Sequence, residues 1–504
     1  MAGNVALSLD HSDHDGACCV AGRHQPPARN EAMRDQRAEV SLNIAPDERY
    51  ESAELEPRAF RILIVGDFSA RGDAAATAND TPRRVDRDDL DAHLARIAPR
   101  LRIDVDGQPL DLAFTSMEDF LPDRLVQRVS MLSRNAESAD VDAPVVRRAA
   151  DVAQRPVDLG RAVSGGSLLD DMLDDVPGAP RRADELSAFV ERAVAPHLVR
   201  PPDSETAARD AAKGQATTRL LRAALHHPRV QALEASWQSL DFLVRRLDTD
   251  GDLALFLLDV PRAGVAAALE RLAQHRDVAG GEEWALVVSL HSVADGDEGA
   301  EWLARVAMAA RALEAPIIAG APASFAGRTS ATALDDDSAP SAEPDVFTLI
   351  RRSLEARFLG LTFPRLLLRL PYGGENPCET IAFEEIEDPE RRDDYLWGSG
   401  AVLVALLVGE AFNARGWAIG PRMPLDVGSL PLFTYRRGPE TVATPCAETL
   451  MSERVARHLL SRGLMPLAWI KNTDRVRLVE LRSVAEPTAP LAAAWAGTSS
   501  RSNA

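Results

Sequence analysis

The sequence is short of lysine, cysteine, aromatic side chains and long apolar runs, and each shortage excludes something. Lys213 and Lys471 are the only lysines, so nearly all positive charge is arginine. That fits a GC-rich coding sequence and, more weakly, ion-pair chemistry. Four cysteines, Cys18, Cys19, Cys378 and Cys446, are too few for a disulfide framework, and the adjacent pair does not bridge itself. A reducing compartment is expected. The most apolar stretch, 401–408, is too short to span a bilayer and is soon followed by Glu410. The first 20 residues hold no basic segment leading into an apolar run, so no secretory signal is expected. These features point to a soluble, cytoplasmic protein without membrane insertion. Positive charge is itself outnumbered: 57 Lys and Arg face 77 Asp and Glu, a formal charge of −20. Such a surface argues against nucleic-acid binding. It serves solubility, or a partner with a basic face.

Catalytic motifs are missing as well. There is no Walker loop, no Gly-x-Gly-x-x-Gly, no Gly-x-Ser-x-Gly and no His-Glu-x-x-His. Weaker candidates remain. Gly66-Asp67 closes an apolar run and could present a carboxylate to a metal, although strand-end turns take Gly-Asp for conformational reasons alone. Cys378 could be a nucleophile with His291 or His458 as base, but a lone cysteine is usually inert. Glu384, Glu385 and Glu387 could pair as acid and base, or form a solvated acidic face. Tyr395, Trp397 and Trp417 could line a pocket or anchor the core. His11, His14, Cys18, Cys19 and His24 are metal-ligand types at no standard spacing. No catalytic, metal or cofactor site is assigned from these residues, and no enzymatic activity is expected.

What is present is enough apolar content, 45% of 504 residues, for two to four ordinary domains. Residues 1–57 are polar, without periodicity, and read as a disordered lead. Phe60-Arg61-Ile62-Leu63-Ile64-Val65 is a strand stopped by Gly66-Asp67. Leu90, Leu94 and Ile97 share a helical face. Leu101, Ile103 and Val105 alternate, Asp106-Gly107 signals a hairpin, and Leu110, Leu112 and Phe114 return. Ser116 with Asp119 resembles a capping box. Residues 58–134 thus form a small α/β unit.

Residues 135–165 read as a linker, and 166–214 as a helical arm. In the arm Leu168, Leu169, Met172, Leu173 and Val176 share one face opposite Asp170, Asp171, Asp174 and Asp175. Leu186, Phe189, Val190 and Val194 form a second amphipathic helix. Pro228 suits the first turn of a helix in which Val230, Leu233, Trp237, Leu240, Val244 and Leu247 recur at three and four. That is a coiled-coil-like seam or, over so short a run, a face docked on a sheet. Residues 215–485 then alternate buried strands (253–258, 284–290, 316–319, 358–370, 465–470, 475–482) with helices (263–275, 298–313, 346–356, 399–414, 448–462). The expected fold class is α/β: a mixed, substantially parallel sheet covered by helices on both faces. Residues 486–504 read as an Ala/Ser-rich disordered tail.

Several stretches together resemble a known family. Phe60-Arg61-Ile62-Leu63-Ile64-Val65-Gly66-Asp67-Phe68-Ser69-Ala70-Arg71 is similar to the opening strand of the small contractile-sheath subunit of type VI secretion systems (TssB, or VipA). Arg84-Val85-Asp86-Arg87-Asp88-Asp89-Leu90, Ile97-Ala98-Pro99-Arg100-Leu101 and Phe114-Thr115-Ser116-Met117-Glu118-Asp119-Phe120-Leu121-Pro122-Asp123 continue it. The large subunit (TssC, or VipB) is resembled by Leu225-His226-His227-Pro228, Leu233-Glu234-Ala235-Ser236-Trp237, Glu355-Ala356-Arg357-Phe358-Leu359-Gly360-Leu361, Leu370-Pro371-Tyr372-Gly373 and Tyr395-Leu396-Trp397-Gly398-Ser399. The resemblances cover roughly 58–130 and 165–485 and imply a fusion of the two subunits, both shortened.

The resemblance implies a structural protein that self-assembles, with itself or other sheath subunits, around an inner-tube protein, and that meets baseplate components. It also implies dismantling by a ClpV-like AAA+ unfoldase, whose handle in this family is an N-terminal helix of the large subunit. The segment with Leu168, Leu169, Met172, Leu173 and Val176 is similar to that helix in position and amphipathic character; the alternative is that this short helix packs on its own domain. The shortening falls where neighbouring subunits of the family interlock, so a non-polymerising adaptor or cap is the alternative. An enzyme built on the α/β core is a third reading.

Overall fold

The computed structural model describes residues 59–72, 81–127, 204–276, 283–326, 345–419 and 423–495. All of them fall within one unit, Pro57–Ala504. The expected lead, the linker, both amphipathic helices of the arm and the five candidate handle residues lie outside the described residues.

The elements run β1 (Phe60–Gly66), β2 (Arg83–Val85), α1 (Leu90–Ile97), β3 (Arg100–Val105), β4 (Gln108–Ala113), α2 (Ser204–Leu225), α3 (Pro228–Val244), β5 (Leu253–Asp259), α4 (Val265–Arg276), β6 (Leu286–Ser292), α5 (Gly296–Leu313) and β7 (Ile317–Gly320). They continue with α6 (Asp345–Arg351), β8 (Leu359–Phe363), β9 (Leu366–Leu367), β10 (Trp397–Gly398), α7 (Ala401–Arg415), β11 (Asp426–Val427), β12 (Thr434–Arg437), β13 (Glu440–Ala443), α8 (Glu453–Ser461), β14 (Leu464–Trp469) and β15 (Val476–Leu478).

Nine strands form one sheet in the order β11-β15-β14-β8-β7-β6-β1-β5-β2. The run from β14 to β5 is parallel throughout, and the edges at β15, β11 and β2 are antiparallel. The expected mixed, mostly parallel sheet is therefore present. β1 shows why it reads as an unbroken apolar run. Phe60, Ile62 and Ile64 enter a core shared with α3 and α7, whereas Leu63 and Val65 enter a second core under α4, α5 and α8. A strand buried on both faces has no polar side to alternate with.

β1 sits between β5 and β6, which are consecutive strands of the larger region. The small α/β unit is thus not a separate layer: its first strand completes the larger sheet. Within the small unit the β3–β4 hairpin forms a two-stranded sheet of its own, turning through Asp106 and Gly107, both at positive φ. The 228–247 seam is a docking face: Val230, Leu233, Trp237, Leu240, Val244 and Leu247 are all buried.

Other boundaries moved for local reasons. The expected strand 358–370 breaks into β8 and β9 around Pro364, which has no N–H to continue the ladder. The last helix starts at Glu453, later than expected, because the Ser452 hydroxyl caps it by accepting the Val455 N–H. The expected tail is corrected as far as residue 495. Leu491 and Trp495 are buried, and the Trp495 indole donates to the Ala285 carbonyl at 2.8 Å.

Candidate functional site

The most extensive long-range contacts of the first region are those it makes with the second. Their seam begins at β1. The Phe60 N–H donates to Asp252 O at 2.7 Å, Ala285 N–H to Arg61 O at 2.9 Å, and Val260 N–H to Gly66 O at 3.0 Å. Phe60 stacks on Phe412 with centroids 4.3 Å apart and tilts against Trp417 at 5.0 Å. Beyond the strand, Phe68 meets Trp237 edge-on, and the buried Trp237 indole donates to Phe68 O at 3.0 Å. This core of the seam is dry and apolar.

Polar latches surround it. Arg84 donates to Thr249 O at 3.0 Å, and Arg229 reaches Arg102 O and Ala70 O at 3.1 and 3.3 Å. Arg71 pairs with Asp259 at 2.7 Å, and Ser69 donates to the same carboxylate through its N–H and hydroxyl. Burial pushes the Asp259 carboxyl up, against the pull of Arg71 and Ser69. Asp123 accepts from the N–H groups of Glu379 and Thr380 and from the Thr380 hydroxyl. Slight burial raises the Asp123 carboxyl, but those hydrogen bonds outweigh it and leave it below the usual range.

A second feature belongs to the larger region alone. Arg369 lies between Glu234 and Glu385, donating to both oxygens of each at 2.5 to 3.3 Å. Glu234 is fully buried and Glu385 nearly so. Burial disfavours the Arg369 charge, yet the two carboxylates hold its affinity for a proton well above the ordinary value. Burial pushes Glu234 the other way, up, against Arg369. Arg369 also stacks over Tyr372, 4.2 Å from its centroid, and the Tyr372 N–H donates to Glu385. Around this trio Arg222 of α2 reaches Glu384 O, Glu385 O and the Glu387 carboxylate. The network ties α2, α3 and the 369–387 loops together, a task the apolar face of α3 alone does not perform.

The residues singled out from sequence fall into place around these features. Asp67 accepts from the N–H groups of Arg71 and Gly72, closing the strand-end turn, so its role is conformational. The Cys378 thiol is pushed up to about 11 by burial and by neighbouring carboxylates, away from a reactive thiolate. The Glu384–Glu387 run is not a uniformly solvated face, because Glu385 points into the buried trio. Tyr395 and Trp397 are buried and donate to Pro389 O and Arg392 O. Trp417 packs against β1. An open cleft of about 760 Å³ at the C-terminal ends of β1, β6 and β7 is lined by Asp67, Arg229, His291, Arg365, Trp397 and Glu448 among others. In it the Arg365 and Glu448 charges satisfy each other at 2.6 and 2.9 Å. Among the described residues no group of His, Cys, Asp and Glu is placed to hold a metal, and no helix is long and apolar enough to cross a membrane.

Sequence reading missed Arg369, Glu234 and Asp123 as structural keys. Nothing local signals that residues 135 positions apart will pair.

Two family models match separate stretches of the chain. The family model for VipB, described as EvpB/VC_A0108, tail sheath N-terminal domain, matches residues 214–485. The model described as type VI secretion system, VipA, VC_A0107 or Hcp2, matches residues 30–138. The type VI secretion system sheath protein TssC1 of Pseudomonas aeruginosa PAO1 is 28% identical over 291 residues, 52% of this chain and 58% of the relative. The chain therefore spans little more than half the length of that relative. With one sheath model covering more than half of the chain and the other covering the region that supplies β1, the chain belongs to the type VI secretion tail-sheath family and joins a VipA-like and a VipB-like region in one polypeptide.

Proposed function

We propose that the chain is a self-assembling building block of a contractile sheath, in which one polypeptide supplies the parts of both subunits. The observation that carries this reading is the position of β1: the VipA-like strand fills the slot between β5 and β6 of the VipB-like sheet. A covalent link holds the two regions at one-to-one stoichiometry and raises their effective concentration. The protein works in the cytoplasm by assembly around an inner-tube protein, in contact with baseplate components, and carries out no catalytic chemistry. Negative-stain microscopy at rising protein concentration tests this. Tubes or rings are expected; a strict monomer at high concentration would overturn self-assembly and leave the adaptor or cap.

A ClpV-like unfoldase is the proposed partner of segment 167–176, through Leu168, Leu169, Met172, Leu173 and Val176. The sequence pattern supports it, since an apolar face opposite four aspartates suits a helix laid into a groove. Leu169→Asp is expected to weaken unfoldase binding by calorimetry while leaving the thermal melt unchanged, and unchanged affinity would remove the assignment.

A further inference from the structure

On a chain with a formal charge of −20, one pocket is built from arginines. It lies where the end of α6, the end of α8 and residues 482–488 meet, has a volume of about 660 Å³, and is lined by Arg351, Arg352, Arg482, Ser461, Glu486 and Thr488 among others. Arg351 and Arg482 are each 6% exposed. Arg351 uses its Nη2 on Ser461 O at 2.9 Å, at the C-terminus of α8, and its Nε on Val484 O at 3.3 Å. Its position is therefore structural. Arg482 donates through Nη2 to the Thr488 hydroxyl at 2.8 Å and through Nε to Ser483 O at 3.3 Å, and among the described residues its Nη1 and the Arg352 guanidinium have no hydrogen bond.

Among the described residues the only carboxylate lining this pocket is Glu486, and it stands 3.8 Å from Arg351 and 3.7 Å from Arg352. Three guanidinium groups thus share one site with one acid among the described residues, on a chain that has 77 acids to deploy. Burial pulls the Arg482 guanidinium below the usual arginine value and Arg351 adds to this, with Glu480 opposing. Gathering like charges in a part-buried site is unfavourable unless an anion offsets them.

We propose that Arg351, Arg352 and Arg482 form an oxyanion-binding pocket for a group carrying at least two negative charges. Guanidinium forks match the oxygens of phosphate and carboxylate groups alike, and the Ser461 and Thr488 hydroxyls add polar partners on the pocket wall. The ligand is a free or esterified phosphate, or a set of carboxylates presented together. The site is independent of polymerisation, so it stands or falls separately from the sheath reading.

Calorimetry on the full chain at low and physiological salt, with inorganic pyrophosphate and with citrate as probes, tests the pocket. Saturable one-to-one binding is expected, weakened about tenfold or more in R352Q and in R482Q and unchanged in R305Q, an exposed arginine on α5. Arg352 is exposed, so R352Q should keep the wild-type melting temperature and decides the matter even if R482Q fails to fold. Binding of pyrophosphate assigns the pocket to phosphates, and binding of citrate alone assigns it to carboxylates. No saturable binding of either probe, or equal affinity in R352Q and wild type, overturns the proposal.

Discussion

The VipA-like and VipB-like regions are held by opposite kinds of chemistry. Residues 59–127 enter the sheet through β1, whose apolar side chains are buried on both faces and whose backbone is paired on both sides. Residues 204–495 are braced internally by charge, with Arg369 between Glu234 and Glu385 where almost no water reaches. A dry strand contributes through burial and asks only for length and apolarity. A buried ion trio is unforgiving: complete, it is close to neutral for stability, but any one member missing leaves an uncompensated charge. Joining is therefore tolerant of side-chain detail, and internal bracing is not.

The largest test of this contrast removes the strand altogether. Expressed without 1–127, the VipB-like region would expose the ladder edges of β5 and β6 and a groove through both cores, and it is expected to be insoluble. Co-expression of 1–127 as a second chain should restore a soluble complex that co-purifies in gel filtration. A soluble, cooperatively melting 128–504 would break the comparison. Next in size is Arg369→Met, expected to cost about 3–5 kcal/mol in urea unfolding by stranding two buried carboxylates. Adding Glu234→Gln and Glu385→Gln should recover much of that loss, and no recovery would mean the trio acts by packing alone.

The same contrast explains what the sequence discloses. β1 is visible as a strand because burial on both faces leaves an unbroken apolar run, and the hairpin is visible through Asp106 and Gly107. The slot that β1 fills is not visible. Residues 253–258 and 284–290 are equally apolar, and nothing in Ile62 or Ile64 says which strands flank them. Glu385 hides in an acidic run because it alone turns inward while Glu384 and Glu387 are exposed, and Arg369 is one arginine among many. Leu491 and Trp495 are lost in an Ala-rich composition. Periodicity is a local signal; pairing over more than a hundred residues is not.

Smaller changes separate the core of the seam from its rim. Trp237→Phe keeps an aromatic ring, smaller than the indole, but removes the donor to Phe68 O, and is expected to cost about 1–3 kcal/mol in thermal or urea melts. Asp123→Ala removes three hydrogen bonds at a partly exposed latch and should cost less than about 1 kcal/mol. If Asp123→Ala proves costlier than Trp237→Phe, the rim rather than the dry strand joins the regions.

The smallest expected effect distinguishes the two regions by pH. His226, in the turn that follows α2, lies 3.6 Å from Asp394 and 3.9 Å from Glu385, and its buried Nε2 has no hydrogen bond among the described residues. Burial lowers its proton affinity below the ordinary imidazole value, helped by Arg222 and Arg369 and opposed by Glu385 and Asp394. The unfolded chain therefore takes up this proton first as pH falls, so stability declines below about pH 6.5, through the interval down to the folded pKa. His226→Gln should flatten that slope when urea midpoints are compared at about pH 7.5 and 5.5. Glu234, whose carboxyl is raised by burial, contributes the opposite slope in both proteins and cancels in the difference. Asp123 has a depressed carboxyl, so its latch is lost only as pH falls below the ordinary aspartate value of about 3.9. Mild acid should thus loosen the charged bracing of the VipB-like region while the Asp123 latch of the seam holds. Identical slopes for wild type and His226→Gln would place the mild-acid sensitivity elsewhere.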